Sequence, residues 1–178
     1  MKVVTLLNAI SIWLVLASSQ VAFAAETVYQ SSTDFLDENL PGCKNQALWL
    51  KADARADIEE LLDRPYAGVR VRYCEAGGKT AWILDEIGKT EPITTGVVIS
   101  GGKVESLRVL VFRESRGGEV HREAFVRQYE QAALDSKSRL DRNIDGITGA
   151  TMSVNAVNHQ ARLALLLDRL AGEKANDH

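Results

Sequence analysis

The spacing of hydrophobic residues switches along the chain between the two-residue period of strands and the three-to-four-residue spacing of helices. Four segments follow the strand pattern, and glycine pairs separate the first from the second and the third from the fourth. The pair Gly101-Gly102 supplies the positive φ angles of a tight turn, so the last two segments form a hairpin. Both faces of this hairpin are apolar, which indicates a sheet covered on both sides. The predicted strands are residues 69–74, 80–86, 93–100 and 104–113.

Helical spacing marks four further segments. Thr33 can cap the first of them, and Pro41 ends it. The last carries a broad stripe of Val, Ala and Leu, typical of a helix sunk against a sheet. Antiparallel strands flanked by helices predict an α+β fold. We expect a mainly antiparallel sheet packed by helices in a single domain over residues 67–178, preceded by a helical segment at residues 25–66. The predicted helices are residues 33–40, 53–62, 122–134 and 151–170.

The first residues have the layout of a secretory signal peptide. Met1-Lys2 is a short positive region, residues 3–16 are almost wholly apolar, and Ala22-Phe23-Ala24 places small residues at the −3 and −1 positions of a cleavage site. An uncleaved membrane anchor is the alternative, but the apolar core is short for a spanning helix. We therefore expect a signal peptide at residues 1–24 and export to the periplasm.

Composition narrows the classes of function. The chain has 178 residues, of which 46% are hydrophobic and 25% charged, as in an ordinary globular protein. Its formal net charge is -3. Because no basic surplus exists to replace the counterions of a nucleic acid, DNA or RNA binding is disfavoured.

The two cysteines, Cys43 and Cys74, lie after the predicted signal peptide. Export permits disulfides, and a bridge between these two would close a loop of about 30 residues and stabilise the fold by about 3–4 kcal/mol. A redox-active pair is the alternative, but the chain has no Cys-x-x-Cys motif. Cys-x-x-Cys-His is absent too, which argues against an attached c-type haem.

A glycine-containing segment directly precedes the last predicted helix. Asp-Gly forms a turn, Thr148 or Thr151 caps the helix, and Gly149 lets a ligand approach the backbone. The unpaired amides and the positive dipole end of a helix suit a phosphate, although an ordinary capped helix start would have the same composition. The segment reads Asp145-Gly146-Ile147-Thr148-Gly149-Ala150-Thr151.

These seven residues resemble the Asp-x-x-(Ser/Thr)-Gly-Ala-Thr signature of the FMN-binding domain family. In that family, an FMN transferase takes FMN from FAD and joins its phosphate to the hydroxyl of the last threonine. The periplasmic domains of the C subunit of sodium-pumping NADH:quinone reductase and of the G subunit of the related electron-transport complex look alike in this respect. The resemblance implies a covalent FMN, held as a phosphoester on Thr151. It leaves Asp145 either as a turn former or as a residue that the transferase recognises.

A second stretch carries the same resemblance. Residues 112–120 are similar to the family's loop Glu-(Ser/Thr)-x-Gly, and residues 85–94 look like single-domain members. The resemblance covers residues 69–170, so the role of residues 25–66 stays open. Arg116 beside the flavin ring would favour the anionic reduced form, and a solvated surface arginine is the alternative. The cofactor-binding residues implied are Thr151, Asp145, Thr148, Gly149, Ala150, Met152, Ser153, Glu114, Arg116, Gly117 and Gly118.

The resemblance implies an electron-transfer flavoprotein that works between redox partner proteins, membrane-bound or quinone-linked. The chain has no Gly-x-Gly-x-x-Gly fingerprint of a dinucleotide site. Two alternatives are an exported FMN-dependent reductase of a small organic acceptor and a flavin-free binding module. No catalytic residue is predicted. No metal site is predicted either, because His121 and His159 lack metal-ligand spacing. Trp82 either packs in the core or stacks on the flavin ring.

Overall fold

A six-stranded antiparallel sheet forms the centre of the computed structural model, which describes residues 26–176. The predicted signal peptide lies outside the described residues. The strands are β1 (Thr27–Val28), β2 (Lys44–Trp49), β3 (Arg70–Ala76), β4 (Lys79–Ile87), β5 (Pro92–Ser100) and β6 (Lys103–Phe112). The strand order is β1-β6-β5-β4-β3-β2, and each neighbouring pair is antiparallel.

Helices cover both faces of this sheet, as the apolar hairpin predicted. The helices are α1 (Ser32–Asn39), α2 (Ala52–Leu62), α3 (Glu123–Val126) and α4 (Thr151–Asn176). Helices α2 and α4 pack on one face, around a core that includes Trp82, Val97 and Leu107. Helix α1 packs on the other, where the ring of Phe35 lies against the backbone of Gly96. The α+β class and the single domain are confirmed.

Helix α4 is fixed to the sheet by a buried amide. Gln160 is 1% exposed, and its Nε2 donates to the carbonyl oxygens of Leu84 in β4 and Ile93 in β5, each at 2.7 Å. Thr80 of β4 also donates to the carboxylate of Asp168, at 2.6 Å. These bonds set the rotation and the axial position of α4, and therefore the place of its first residue, Thr151.

The segment predicted as one helix over residues 122–134 is interrupted. It follows a 3-10 turn at Gly118–His121, and it contains only the short α3 and a second 3-10 turn at Arg127–Tyr129. Gln131 then takes a positive φ of 63°, and backbone bonds join it and its neighbour to Val104 of β6. These long-range bonds replace helical hydrogen bonds. The spacing of apolar residues in this segment therefore indicates which residues are buried, but the prediction of a continuous helix is wrong.

Residues 25–66 were expected to be helical, but the described part of this segment also supplies the two edge strands, β1 and β2. A disulfide joins Cys43, just before β2, to Cys74 in β3, with the Cα atoms 5.5 Å apart. The N-cap of α1 is Ser31, whose hydroxyl oxygen accepts from the amide of Asp34, and not the predicted Thr33.

Across residues 26–176, the helices fall short of the length and hydropathy that crossing a bilayer requires.

Candidate functional site

Helix α4 begins at Thr151, whose side chain is exposed. The helix opens with the bond from the Val154 amide to the Ala150 carbonyl, at 3.0 Å. Ala150 therefore takes the capping position predicted for one of the two threonines. As at any helix start, the amides of residues 151–153 have no intrahelical acceptor, and their N–H groups project from the N-terminal end of the helix. Gly149 has a φ of +80°, which brings the chain into the helix through a conformation that favours glycine.

The loop after β6 touches this helix start at Gly117. Its φ is +88°, and a Cβ placed there would lie 2.5 Å from the Ser153 hydroxyl oxygen and 3.2 Å from the Ala150 Cβ. Glycine is therefore required at this position for two reasons, backbone conformation and space. The contact brings the two motif regions identified in the sequence, residues 112–120 and residues 145–151, to one place.

A cavity of about 520 Å³ opens beside Thr151, and we call it the anchor cavity. One wall is the start of α4, and the other consists of the loop after β6 and the turn between β4 and β5. Among the described residues, its charged side chains are Lys89, Glu114 and Arg116, which together carry a formal charge of +1. The described lining residues are Lys89, Glu114, Ser115, Arg116, Gly149, Ala150, Thr151, Met152 and Ser153.

Glu114 holds the β4–β5 turn in place. Its carboxylate accepts hydrogen bonds from the amides of Lys89, of Thr90 at 2.6 Å and of Glu91 at 2.9 Å, and from the Thr90 hydroxyl at 3.1 Å. Partial burial raises the pKa of Glu114, but these hydrogen bonds outweigh burial and hold the pKa below its usual value. The carboxylate is therefore ionised at neutral pH, and it positions Lys89 at the rim of the anchor cavity.

A second cavity, of about 550 Å³, lies beyond the loop, and we call it the aromatic cavity. It shares Ser115, Arg116 and Gly149 with the anchor cavity. Its other lining residues are Tyr29, Gly117, Gly118, Glu119, His121, Arg122 and Thr148. The rings of Tyr29 and His121 are stacked, with centroids 4.1 Å apart and planes at 11°.

Ten of the eleven predicted cofactor-binding residues line these two cavities. Within the described chain, Asp145 lines neither: it is exposed, and its amide donates to the Gln128 side chain at 2.6 Å. Trp82 is fully buried and stacks on Tyr73, so its role is in the core. His159 lies 3.5 Å from the carboxylate of Glu86.

Sequence reasoning missed Tyr29 and did not assign His121 to the site. Tyr29 follows β1, which no local pattern predicts, and only the pairing of β1 with β6 brings it to the cavity. No cluster of three or more His, Cys, Asp or Glu side chains suited to a metal occurs in the range 26–176.

The arrangement fits a phosphate-bearing ligand. Two cationic residues and the first turn of α4, including the exposed Thr151, line the anchor cavity, and anions bind well at such helix starts. The space beside Gly149 is open, because a Cβ at this position would meet no described atom within 4 Å. The adjoining aromatic cavity gives a planar group space beside the phosphate.

Comparison with known proteins agrees with this geometry. Residues 88–166 match the model of the FMN-binding domain family, and this range contains the anchor cavity and both loops that meet at Gly117. A search of the curated proteins finds no match to the chain. Residues 88–166 of the chain are therefore identified as an FMN-binding domain.

Proposed function

We propose that the protein is a periplasmic flavoprotein that carries FMN as a phosphoester on Thr151 and transfers electrons between redox partners. An FMN transferase that uses FAD attaches the flavin after export. The observation that carries the proposal is the position of Thr151: an exposed hydroxyl at the first residue of α4, facing a cavity that Lys89 and Arg116 also line.

Several features of the site support a phosphate at Thr151. The ester would keep one negative charge, which the start of α4 stabilises by about 0.3–1 kcal/mol. Lys89 and Arg116 add two positive charges on the facing wall. The exposure of Thr151 lets a second protein reach its hydroxyl, as a transferase must.

Electron transfer follows from the cofactor and from the openness of its site. FMN, when bound, takes up and releases electrons together with protons. This chain would hold it, orient it and leave it reachable, since Ser115, Arg116 and Met152 at the cavity are exposed. The absence of a dinucleotide fingerprint from the sequence favours a protein or a quinone as the electron donor.

Two observations support export. The first 24 residues have the composition of a signal peptide. The disulfide between Cys43 and Cys74 suits an oxidising compartment. A covalent link would keep the flavin in place where free FMN is scarce.

Co-expression with an FMN transferase tests the attachment. We expect the intact mass of the exported protein to rise by one FMN less one water, and the sample to be yellow. Thr151→Ala abolishes the increment, whereas Ser115→Ala, which removes another hydroxyl from the same cavity, keeps it. An increment that survives in Thr151→Ala, or a wild-type protein without one, contradicts the proposal.

A second assay tests the role. The loaded protein, once reduced, should pass electrons to a redox protein or quinone and should not reduce small organic acceptors catalytically on its own. Sustained turnover of such an acceptor with no partner present would instead identify the protein as a reductase.

A further inference from the structure

The two cavities are neighbours and share part of their lining. The backbone of Gly149 and the side chains of Ser115 and Arg116 line both of them. Thr151 faces the anchor cavity, and Thr148, three residues earlier, faces the aromatic cavity. A group fixed at Thr151 through a phosphate and a ribityl chain can therefore extend from the first cavity into the second.

The two cavities differ in what they offer a flat aromatic ring. Among the residues that line the anchor cavity, none is aromatic, and Met152 is its one large apolar side chain. The aromatic cavity contains the stacked rings of Tyr29 and His121. Tyr29 is 39% exposed although its ring is large and apolar, so it has surface left for a further stacking partner.

Tyr29 is held firmly enough to serve as such a surface. Its amide donates to the carbonyl of Leu110 at 2.8 Å, directly after the pairing of β1 with β6. Glu26, before β1, forms an ion pair with Arg113 at 3.2 Å. The Tyr29 hydroxyl packs above Gly118, where a Cβ would lie 3.3 Å from its oxygen.

The charges around the aromatic cavity suit a reducible ring. Arg116 and Arg122 line it together with one acidic side chain, Glu119. Partial burial and the nearby Glu119 raise the pKa of Tyr29, so the phenol is neutral at physiological pH. A surplus of positive charge favours the anionic form that a flavin ring adopts on reduction.

We propose that the aromatic pair Tyr29–His121 is the surface against which the isoalloxazine ring of FMN stacks, so that β1, which precedes the matched domain, completes the flavin site. The inference rests on the proposed attachment at Thr151. It assigns Tyr29 as a positioning residue for the ring.

Flavin fluorescence tests this placement, because a phenol in contact with an excited flavin quenches its emission by electron donation. The samples are the full-length exported protein, loaded by the transferase, and the variants Tyr29→Leu, Tyr29→Phe and Tyr66→Phe. Tyr66 is the control, since its backbone is held by Glu59 of α2, and α2 follows the opposite edge strand of the sheet. Intact mass gives the FMN content of each sample, and fluorescence is expressed per bound FMN.

We expect severalfold higher fluorescence in Tyr29→Leu and Tyr29→Phe, and no change in Tyr66→Phe. Only Tyr29→Leu should also shift the visible absorption bands, because only that variant loses the stacking ring. Full FMN loading with unchanged fluorescence in both Tyr29 variants overturns the ring placement and leaves the attachment intact. A wild-type protein without FMN overturns both.

Discussion

Replacing Gly117 by alanine tests whether the loop after β6 must touch the start of α4. Two costs follow from the structure. The φ of +88° is a left-handed conformation, which costs a residue with a Cβ about 1–2 kcal/mol. The new Cβ would also lie 2.5 Å from the buried Ser153 hydroxyl oxygen, and crowding of this kind costs about 1–3 kcal/mol. We expect the free energy of unfolding to fall by about 2–5 kcal/mol in all.

Gly149→Ala is the matched control. Its φ of +80° carries the same backbone strain, but its Cβ would meet no described atom within 4 Å. We expect a loss of only about 1–2 kcal/mol from this variant. Urea unfolding of the flavin-free proteins measures both, and Gly117→Ala should in addition lower FMN loading, because the loop must move away from Thr151.

The double variant Gly117→Ala/Ser153→Ala separates strain from crowding. Removing the Ser153 hydroxyl takes away the atom closest to the new Cβ, so part of the lost stability should return. Equal losses in Gly117→Ala and Gly149→Ala, with no recovery in the double variant, would refute the close contact between loop and helix.

Three further predictions concern the frame of the site. Glu114→Gln should lower the free energy of unfolding by about 1–2 kcal/mol at pH 7. Because the folded-state pKa of Glu114 lies below 4.5, the difference between wild type and variant should be fully present above pH 4.5 and disappear as the pH falls through the folded-state pKa. Urea unfolding midpoints measured against pH test this. Replacing Cys43 and Cys74 by alanine should cost about 3–4 kcal/mol, given their separation of 31 residues, and a reductant should lower the thermal midpoint of the wild type but not of the variant. Gln160→Leu should cost about 2–4 kcal/mol because two buried strand carbonyls lose their donor, and an unchanged thermal midpoint would contradict the role given to this amide.

The sequence predicts those elements whose local pattern of hydrophobic and turn residues is enough to specify their structure. The hairpin at residues 93–113 is apolar on both faces and has a Gly-Gly turn, and α4 has a continuous apolar stripe. Strand β2 was missed because it lies at an edge, where four of its six residues are exposed and the alternation is weak. The chain leaves helical conformation within residues 122–134 because backbone hydrogen bonds join it to Val104, and no local sequence pattern predicts these bonds.

The same distinction applies to the site. Residues 145–151 and residues 112–120 have compositions that mark them, and the structure brings both stretches to the anchor cavity. Tyr29 has no such signal, since it reaches the aromatic cavity only through the pairing of β1 with β6. Glu114 is predicted to lie beside the cofactor, and it does line the cavity. Its carboxylate, however, accepts hydrogen bonds from backbone amides of the turn at residues 88–91.

The most direct test of the covalent flavin is the tryptic peptide that spans residues 143–162, between the cleavage sites after Arg142 and Arg162. Tandem mass spectrometry of this peptide, from protein matured by the transferase, should place one FMN less one water on Thr151. An unmodified peptide, or an increment on Thr148 or Ser153, would contradict the account.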